Sequence, residues 1–356
     1  MIKFGLYGSG WRSEFFLRIA KLLPEKFCVD GVITRNSEKA DYFKAEFGVK
    51  SYHNFTDYLA ENTPLFMVES VNKGVSAEIT MEIIRQGIPV LMETPAGKDL
   101  ETMTWLAAEV ANGAKIQIAE QYPFHPLHFT KKALIASGKL GDIQHVQVSF
   151  SHGYHGIALI RKFLGINFEN TEISATAFPV SGASGFSREG MPTEDKIETA
   201  IQSVATLKFD NGQTAIYNFE MGQHRSWIRT PIIQIKGTRG ELFNESLKYL
   251  IDYKTPIETN LHRVNLGENQ NIEGAGLKGI LVGNQWYYQN PYLNSRLTDD
   301  EIAIAVCLEK MAHYVHTDEE FYSFAEGAQD MYLGMMIEKA ATTRKIITTK
   351  TMPWAK

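Results

Sequence analysis

Along the first 120 residues the apolar positions switch repeatedly between a period of two and a period near 3.6. Ile2, Phe4 and Leu6 alternate as in a strand, then Phe15, Phe16, Ile19, Leu22 and Leu23 recur at helical spacing until Pro24 stops them. Strand-like runs over 29–33, 65–68, 89–92 and 116–119 are separated by helical patterns over 38–47, 77–85 and 100–110. The helices end at Gly48, Gly87 and Asn112-Gly113. The runs at 65–68 and 89–92 are apolar throughout, as strands covered on both faces are. Strands alternating with helices of about ten residues pair in parallel through crossover helices, which predicts a doubly wound α/β sheet.

Past Pro126 the pattern changes. A helix is predicted over 127–136, stopped at Gly138, after which Val146, Val148 and Phe150 alternate with Gln147, Ser149 and Ser151 as in a sheet with one buried face. Strands over 200–209 and 213–219 flank Asp210-Asn211-Gly212, a hairpin signal, and another over 232–235 ends at Gly237-Thr238-Arg239-Gly240. Strand following strand argues an open antiparallel sheet. Two helical stretches return over 299–344. The chain therefore divides into residues 1–122 and residues 123–356, the second an α+β domain. Residues 182–193, rich in Gly and Ser, are expected to form a mobile loop.

Composition narrows the function. A length of 356 residues fits two domains, and 44% apolar residues with 11% aromatics suffice for a large core. A net charge of −5 argues against a nucleic-acid partner, which needs a basic face. No apolar window is long enough for a membrane span, and the opening Met1–Leu6 run is too short for a signal peptide. Cys28 and Cys307 have no CxxC or CxxxH partner, so a reducing, cytoplasmic setting is expected.

The first candidate chemistry is Gly8-Ser9-Gly10-Trp11-Arg12-Ser13, placed between a strand and a helix. Glycines there allow a tight turn and let backbone N–H groups approach a pyrophosphate, which the helix N-terminus favours. Ser13 replaces the third glycine of the usual pattern, and a plain tight turn is the alternative. An NAD-selective site would place a carboxylate after the second strand. This chain has Thr34-Arg35-Asn36, a hydroxyl and a guanidinium suited to a 2′-phosphate, so NADP(H) is expected over NAD(H). The alternative for Arg35 is an ordinary surface charge.

With these residues, Glu93-Thr94-Pro95, the stretch from Gln121 to Pro126, Gly153-Tyr154-His155 and Gly237-Thr238-Arg239-Gly240-Glu241, the chain resembles the glucose-fructose oxidoreductase / inositol dehydrogenase / MocA (Gfo/Idh/MocA) family over nearly its whole length. The resemblance implies an N-terminal Rossmann domain, a C-terminal open antiparallel sheet used for oligomerisation as a homodimer or homotetramer, and a nicotinamide cofactor. It also implies hydride transfer at a carbohydrate-like or polyol hydroxyl or ketone. Gly8, Ser9, Gly10, Trp11, Arg12, Thr34, Arg35, Ser70, Asn72, Glu93, Thr94 and Gln121 are the residues expected at the cofactor. The family's Glu-Lys-Pro is here Glu-Thr-Pro, with Thr94 at the lysine position. Its Asp-x-x-x-His is here Ser151 to His155, and its Pro-Asn after strand 4, followed by a later His, is here Val71-Asn72 with Val75.

The resemblance implies His155 as the acid/base, and an imidazole can serve either role near neutral pH. Tyr154 and His152 are candidates to polarise the reacting oxygen in place of the lost lysine; simple capping or packing is the alternative for each. Gln121 is expected at the end of the last parallel strand, where its amide can meet a carboxamide or satisfy buried backbone. Arg161 and Lys162 read as solvated, whereas Arg225, Trp227 and Arg229 suit either a polar-substrate pocket or an oligomer contact. His125–His128 and His152–His155 are HxxH pairs, but without a carboxylate at fixed spacing no metal is expected. The expected activity is an NAD(P)-dependent oxidoreductase. The alternative is a dinucleotide-binding sensor or structural subunit without hydride chemistry, since the lysine and aspartate are missing.

Overall fold

The computed structural model describes residues 1–188, 190–270 and 274–355. The N-terminal part runs β1 (Ile2–Tyr7), α1 (Trp11–Leu22), β2 (Phe27–Ile33), α2 (Ser37–Phe47), β3 (Ser51–Tyr52), α3 (Phe55–Glu61), β4 (Phe66–Glu69), α4 (Ser76–Ile84), β5 (Val90–Met92), α5 (Leu100–Ala111) and β6 (Ile116–Ile118). Its strands pair in parallel in the order β3-β2-β1-β4-β5-β6. The reversal of strand order falls between β1 and β4, and the crevice above such a switch point is where open α/β sheets bind ligands. Every residue of β4, β5 and β6 is buried, which explains their unbroken apolar character. β3 and α3 were not predicted: a two-residue strand and a seven-residue helix are too short to show a period.

The remainder contains α6 (Pro126–Ala136), β7 (Ile143–Ser149), α7 (Gly153–Leu164), β8 (Thr171–Ala183), β9 (Ile197–Phe209), β10 (Thr214–Glu220) and β11 (Ile232–Gly237). There follow β12 (Gly240–Phe243), β13 (Ser246–Leu250), β14 (Pro256–Leu266), β15 (Gly276–Val282), β16 (Gln285–Gln289), α8 (Asp299–Thr317), α9 (Phe324–Thr343) and β17 (Ile347–Thr348). Among the described residues these strands form one open sheet in the order β16-β15-β14-β13-β12-β11-β7-β10-β9-β8-β17. Its pairs are antiparallel except β7 with β10, which run parallel because α7, β8 and β9 intervene between them. The predicted hairpin turns at Asp210–Gly212, with Gly212 at φ 88°.

The Gly/Ser-rich stretch is not wholly a loop. Gly182 and Ala183 still pair with Glu198 and Ile197, and Ser184 donates to the Lys196 carbonyl. α7 lies on this sheet, and Gly156 lets it approach, since a Cβ there would come within 2.7 Å of the Tyr217 ring.

Arg161, expected in solvent, is instead buried beneath α9. Its Nη1 donates to Asp330 Oδ1 at 2.6 Å, and its Nε and Nη2 donate to the Asn167 carbonyl. Its spacing on α7 allows either side of the helix; the carboxylate that pulls it inward lies 169 residues on. Lys162 is half-buried beside Glu326. α8 and α9 return the chain to the first sheet: Ser323 bridges Gln117 of β6, and Arg18 of α1 pairs with Glu301 at 2.8 Å. No described helix is long and apolar enough to cross a membrane.

Candidate active site

The C-terminal edge of the parallel sheet faces α7 and the start of α8 across a cleft of about 1030 Å³. All the residues singled out for the cofactor, from Gly8 to Gln121, and His152, Tyr154 and His155 line this one cleft.

The glycine turn forms one end. Gly8 has φ 123°, and a Cβ on it would overlap the Ser70 carbonyl oxygen, so only glycine lets β1 turn this close to the end of β4. Ser9 Oγ accepts from Thr34 Oγ1 at 2.7 Å, and Thr34 Oγ1 accepts from Asn36 N at 3.1 Å, tying the turn to the end of β2. Arg35 is exposed at the rim. Gly10 caps α1 without any side-chain hydrogen bond, so the N–H groups of the first turn stay open to a ligand, and a Cβ at Gly10 would meet nothing. Below the turn, buried Glu69 accepts from Val71 N and Ser76 Oγ, at 3.0 and 2.9 Å, and shapes the Ser70–Asn72 loop. Burial pushes its carboxyl up to about 8, with the charge of Glu93 adding to the rise.

An ion-pair network crosses the floor. Arg12 donates to Glu93 Oε1 at 2.9 Å and to Asp300 Oδ2 at 3.0 Å, while Gln121 Nε2 donates to Asp300 Oδ1 at 3.2 Å. Burial opposes the charge on Arg12, but Glu93 and Asp300 outweigh it and hold the guanidinium above its usual range. Burial likewise opposes ionisation of Asp300, yet His125 and Arg12 hold its carboxyl well below the usual range. Arg12 and Glu93, expected to face a cofactor, thus spend their hydrogen bonds on each other and on α8.

The other end is a wall of rings. His155, 7% exposed, directs Nδ1 at Glu120 Oε2 at 2.6 Å, and Glu120 is itself 2% exposed. Glu120 Oε1 accepts from Tyr122 N at 3.1 Å. A carboxylate at Nδ1 fixes the tautomer with the proton there and leaves Nε2 as the lone-pair nitrogen. Tyr122 and Tyr154 pack on His155 with ring centres 4.5 and 4.4 Å away, and His152 meets it edge-on at 5.1 Å. Burial raises the Tyr154 phenol to about 12 even though a hydrogen bond with Thr94 works the other way. Burial, with His155 and His224, lowers His152 to about 4, so it is neutral at physiological pH. His155 does not cap α7, which begins at Gly153 with that N–H taken by Tyr217 Oη at 2.7 Å.

Among the described residues, two buried atoms of cleft-lining side chains have no partner, Gln121 Oε1 and Ser151 Oγ. Gln121 lies three residues past β6, beside a one-turn 3₁₀ helix, Tyr122–Phe124, rather than in the strand. The uncapped helix start, the glycine cradle and the orphaned amide oxygen together fit a dinucleotide ending in a carboxamide. The HxxH pairs serve other partners: His128 Nδ1 meets the Tyr122 carbonyl at 2.9 Å, and His155 Nδ1 is spent on Glu120.

The family model described as an oxidoreductase family with an NAD-binding Rossmann fold matches residues 2–119. The match places a Gfo/Idh/MocA-type NAD-binding Rossmann domain over the first sheet of this chain. Solved structures of similar fold cover both parts of the chain. An NAD binding oxidoreductase from Klebsiella pneumoniae superposes with a TM-score of 0.69 at 15% identity, covering 98% of this chain and 99% of that one. An apo scyllo-inositol dehydrogenase from Lactobacillus casei gives 0.65 at 18%, covering 98% of each chain. A levoglucosan dehydrogenase in complex with NADH gives 0.70 at 14%, covering 99% and 100%. At such identity the likeness is one of fold. No curated protein is significantly similar in sequence.

Set against the Gfo/Idh/MocA pattern, the lysine position carries Thr94, in hydrogen-bond contact with Tyr154, and the aspartate position carries the unpartnered Ser151. Sequence alone does not pair Glu120 with His155 and does not place Asp300, Arg188 or His224 at the cleft, and it marks His125 only as one half of an HxxH pair. Glu120 follows a buried strand, which is a weak signal. Asp300 looks like ordinary helix-start acidity after the Thr298–Glu301 capping box.

Proposed function

We propose that this protein is an NAD(P)-dependent dehydrogenase acting on a carbohydrate-like or polyol hydroxyl, or reducing the matching ketone. Residues 1–122 hold the coenzyme and residues 123–356 the substrate. The observation that carries this reading is the Glu120–His155 pair at 2.6 Å, facing a cleft whose other end is an open glycine turn. The coenzyme, when bound, supplies or accepts the hydride. Gly8, Ser9, Gly10 and the first turn of α1 would hold its diphosphate, the Ser70–Asn72 loop and Thr94 would line its site, and Gln121 Oε1, without a partner among the described residues, would accept from its carboxamide.

In the oxidative direction His155 Nε2 takes the hydroxyl proton, and Glu120 stabilises the resulting imidazolium through Nδ1–H; in reduction the same nitrogen returns the proton. Tyr154, protonated at neutral pH, donates to the reacting oxygen in the role left vacant at Thr94. His152 stays neutral and orients that oxygen by hydrogen bonding rather than by charge. The sensor reading is not favoured, because a buried carboxylate aimed at a cleft histidine suits proton transfer and is expensive to bury otherwise.

NADP(H) is preferred over NAD(H) in this account, because Thr34 and exposed Arg35 follow β2 where a carboxylate would select a ribose hydroxyl. A homodimer or homotetramer is supported by large apolar side chains left exposed on the β8–β9 end of the sheet, among them Phe178, Ile197 and Ile201. The test is reduced-nicotinamide absorbance over a panel of sugars and polyols with each coenzyme. Turnover that disappears in His155→Ala supports the reading; coenzyme binding with no turnover across the panel contradicts it.

A further inference from the structure

The charges of the cleft do not balance at its substrate end. Its two lining carboxylates, Glu93 and Asp300, are both engaged by Arg12, and Arg229 is held by Glu220 at 2.6 Å. Arg188 and Arg225 also line the cleft, and among the described residues neither has a carboxylate partner. The fold nevertheless brings them together. The segment after β8 lies directly on the 222–229 turn: a Cβ on Gly185 would come within 2.9 Å of the Arg225 carbonyl oxygen, and one on Gly182 within 3.0 Å of Arg229 Nη2. Arg188 Cζ stands 3.7 Å from the centre of the Trp11 ring, a cation–π contact that holds the guanidinium over the glycine-turn end of the cleft.

Arg188 is held below its usual range by burial and by the charges of Arg225 and Arg12. His224 is pushed down by burial, by both arginines and by His155, which places this positive region within electrostatic reach of the acid/base. Like charges lining one cleft, with no carboxylate paired to either among the described residues, form a ready anion site.

We infer that the substrate carries an anionic group, a carboxylate or a phosphate ester, bound between Arg188 and Arg225 while its reacting carbon faces His155. This rests on the dehydrogenase reading for the role of His155, but the anion site itself does not. The anion offsets the arginine repulsion, so acidic sugars bind better than neutral ones of the same size.

The experiment is calorimetric titration of the NADPH complex with D-gluconate, D-glucuronate and glucose 6-phosphate, with D-glucose and myo-inositol as neutral controls. At least one acid or phosphate should bind about tenfold or more tighter than the neutral sugars, and binding should weaken with added salt. Arg225→Gln and Arg188→Gln should each weaken that binding about tenfold or more, Arg225→Lys should restore part of it, and NADPH affinity should stay unchanged. The carboxylate and phosphate arms show which anion is accepted. Equal binding of acids and neutral sugars, no binding of any acid at tens of millimolar, or arginine variants that weaken NADPH alone would each overturn the inference. Turnover is followed separately. Anion binding without turnover of any substrate keeps the site and contradicts the dehydrogenase reading, whereas turnover of neutral sugars indifferent to both arginines does the reverse.

Discussion

At the glycine-turn end of the cleft, the groups offered to a ligand are backbone N–H groups and short hydroxyls from residues 8–12 and 34–36. At the histidine end they are rings and guanidinium groups gathered from positions as far apart as 120, 155, 188 and 225. The first end is made by local geometry: a strand, a turn that only glycine can make at Gly8, and a helix start left uncapped. The second depends on tertiary placement, since Glu120 after β6 and His155 on α7 meet only when the two sheets pack. A backbone-built end suits a ligand of constant shape such as a dinucleotide. A side-chain-built end can be retuned by exchanging residues, and this chain shows such exchanges at Thr94 and Ser151.

The sharpest break in this comparison is His155→Ala. It should lower turnover by about 10³-fold or more while coenzyme affinity stays within twofold of the parent (roughly the range of one lost acid/base group). Steady-state rates and coenzyme titration on the same preparation check both halves of that statement. Glu120→Gln keeps the shape but not the charge behind Nδ1, so turnover should fall by about 10²-fold.

Gly8→Ala attacks the other end. The added Cβ meets the Ser70 carbonyl and the backbone is left at positive φ, costing about 1–3 kcal/mol, so coenzyme binding should weaken about tenfold or more with any residual turnover retaining its pH profile. Arg35→Ser should reduce the NADPH-over-NADH affinity ratio by about tenfold and leave NADH binding unchanged.

The smallest effect concerns Glu69. Its carboxyl, raised to about 8 by burial, keeps in the folded chain a proton that the unfolded chain releases near its ordinary value. Stability from this group is therefore complete at low pH and is lost as pH rises toward and through about 8. Glu69→Gln should match the parent in thermal melts at or below about pH 4.5 and exceed it increasingly as the pH rises to about 8.

The legibility of the two regions follows the same divide. β1, α1, β2 and the buried runs of β4 and β5 were readable because period and glycine placement are properties of neighbouring residues. The glycine turn and the Thr34–Arg35 end of β2 were readable for the same reason. Arg161 was misjudged because its partner Asp330 lies on another helix, and the 182–193 stretch because a glycine-rich sequence does not exclude strand pairing with Ile197 and Glu198. His155 was found through the family resemblance. Its dependence on Glu120 needed the packed structure, since nothing in a separation of 35 residues marks the pair.

Coenzyme titration of the unmodified protein bears most directly on the account. Adding NADPH or NADH while following nicotinamide fluorescence should give saturable binding at about one coenzyme per chain, tighter for NADPH, and weakened by Gly8→Ala but not by His155→Ala. Failure of both coenzymes, oxidised and reduced, to bind at millimolar concentration would contradict it.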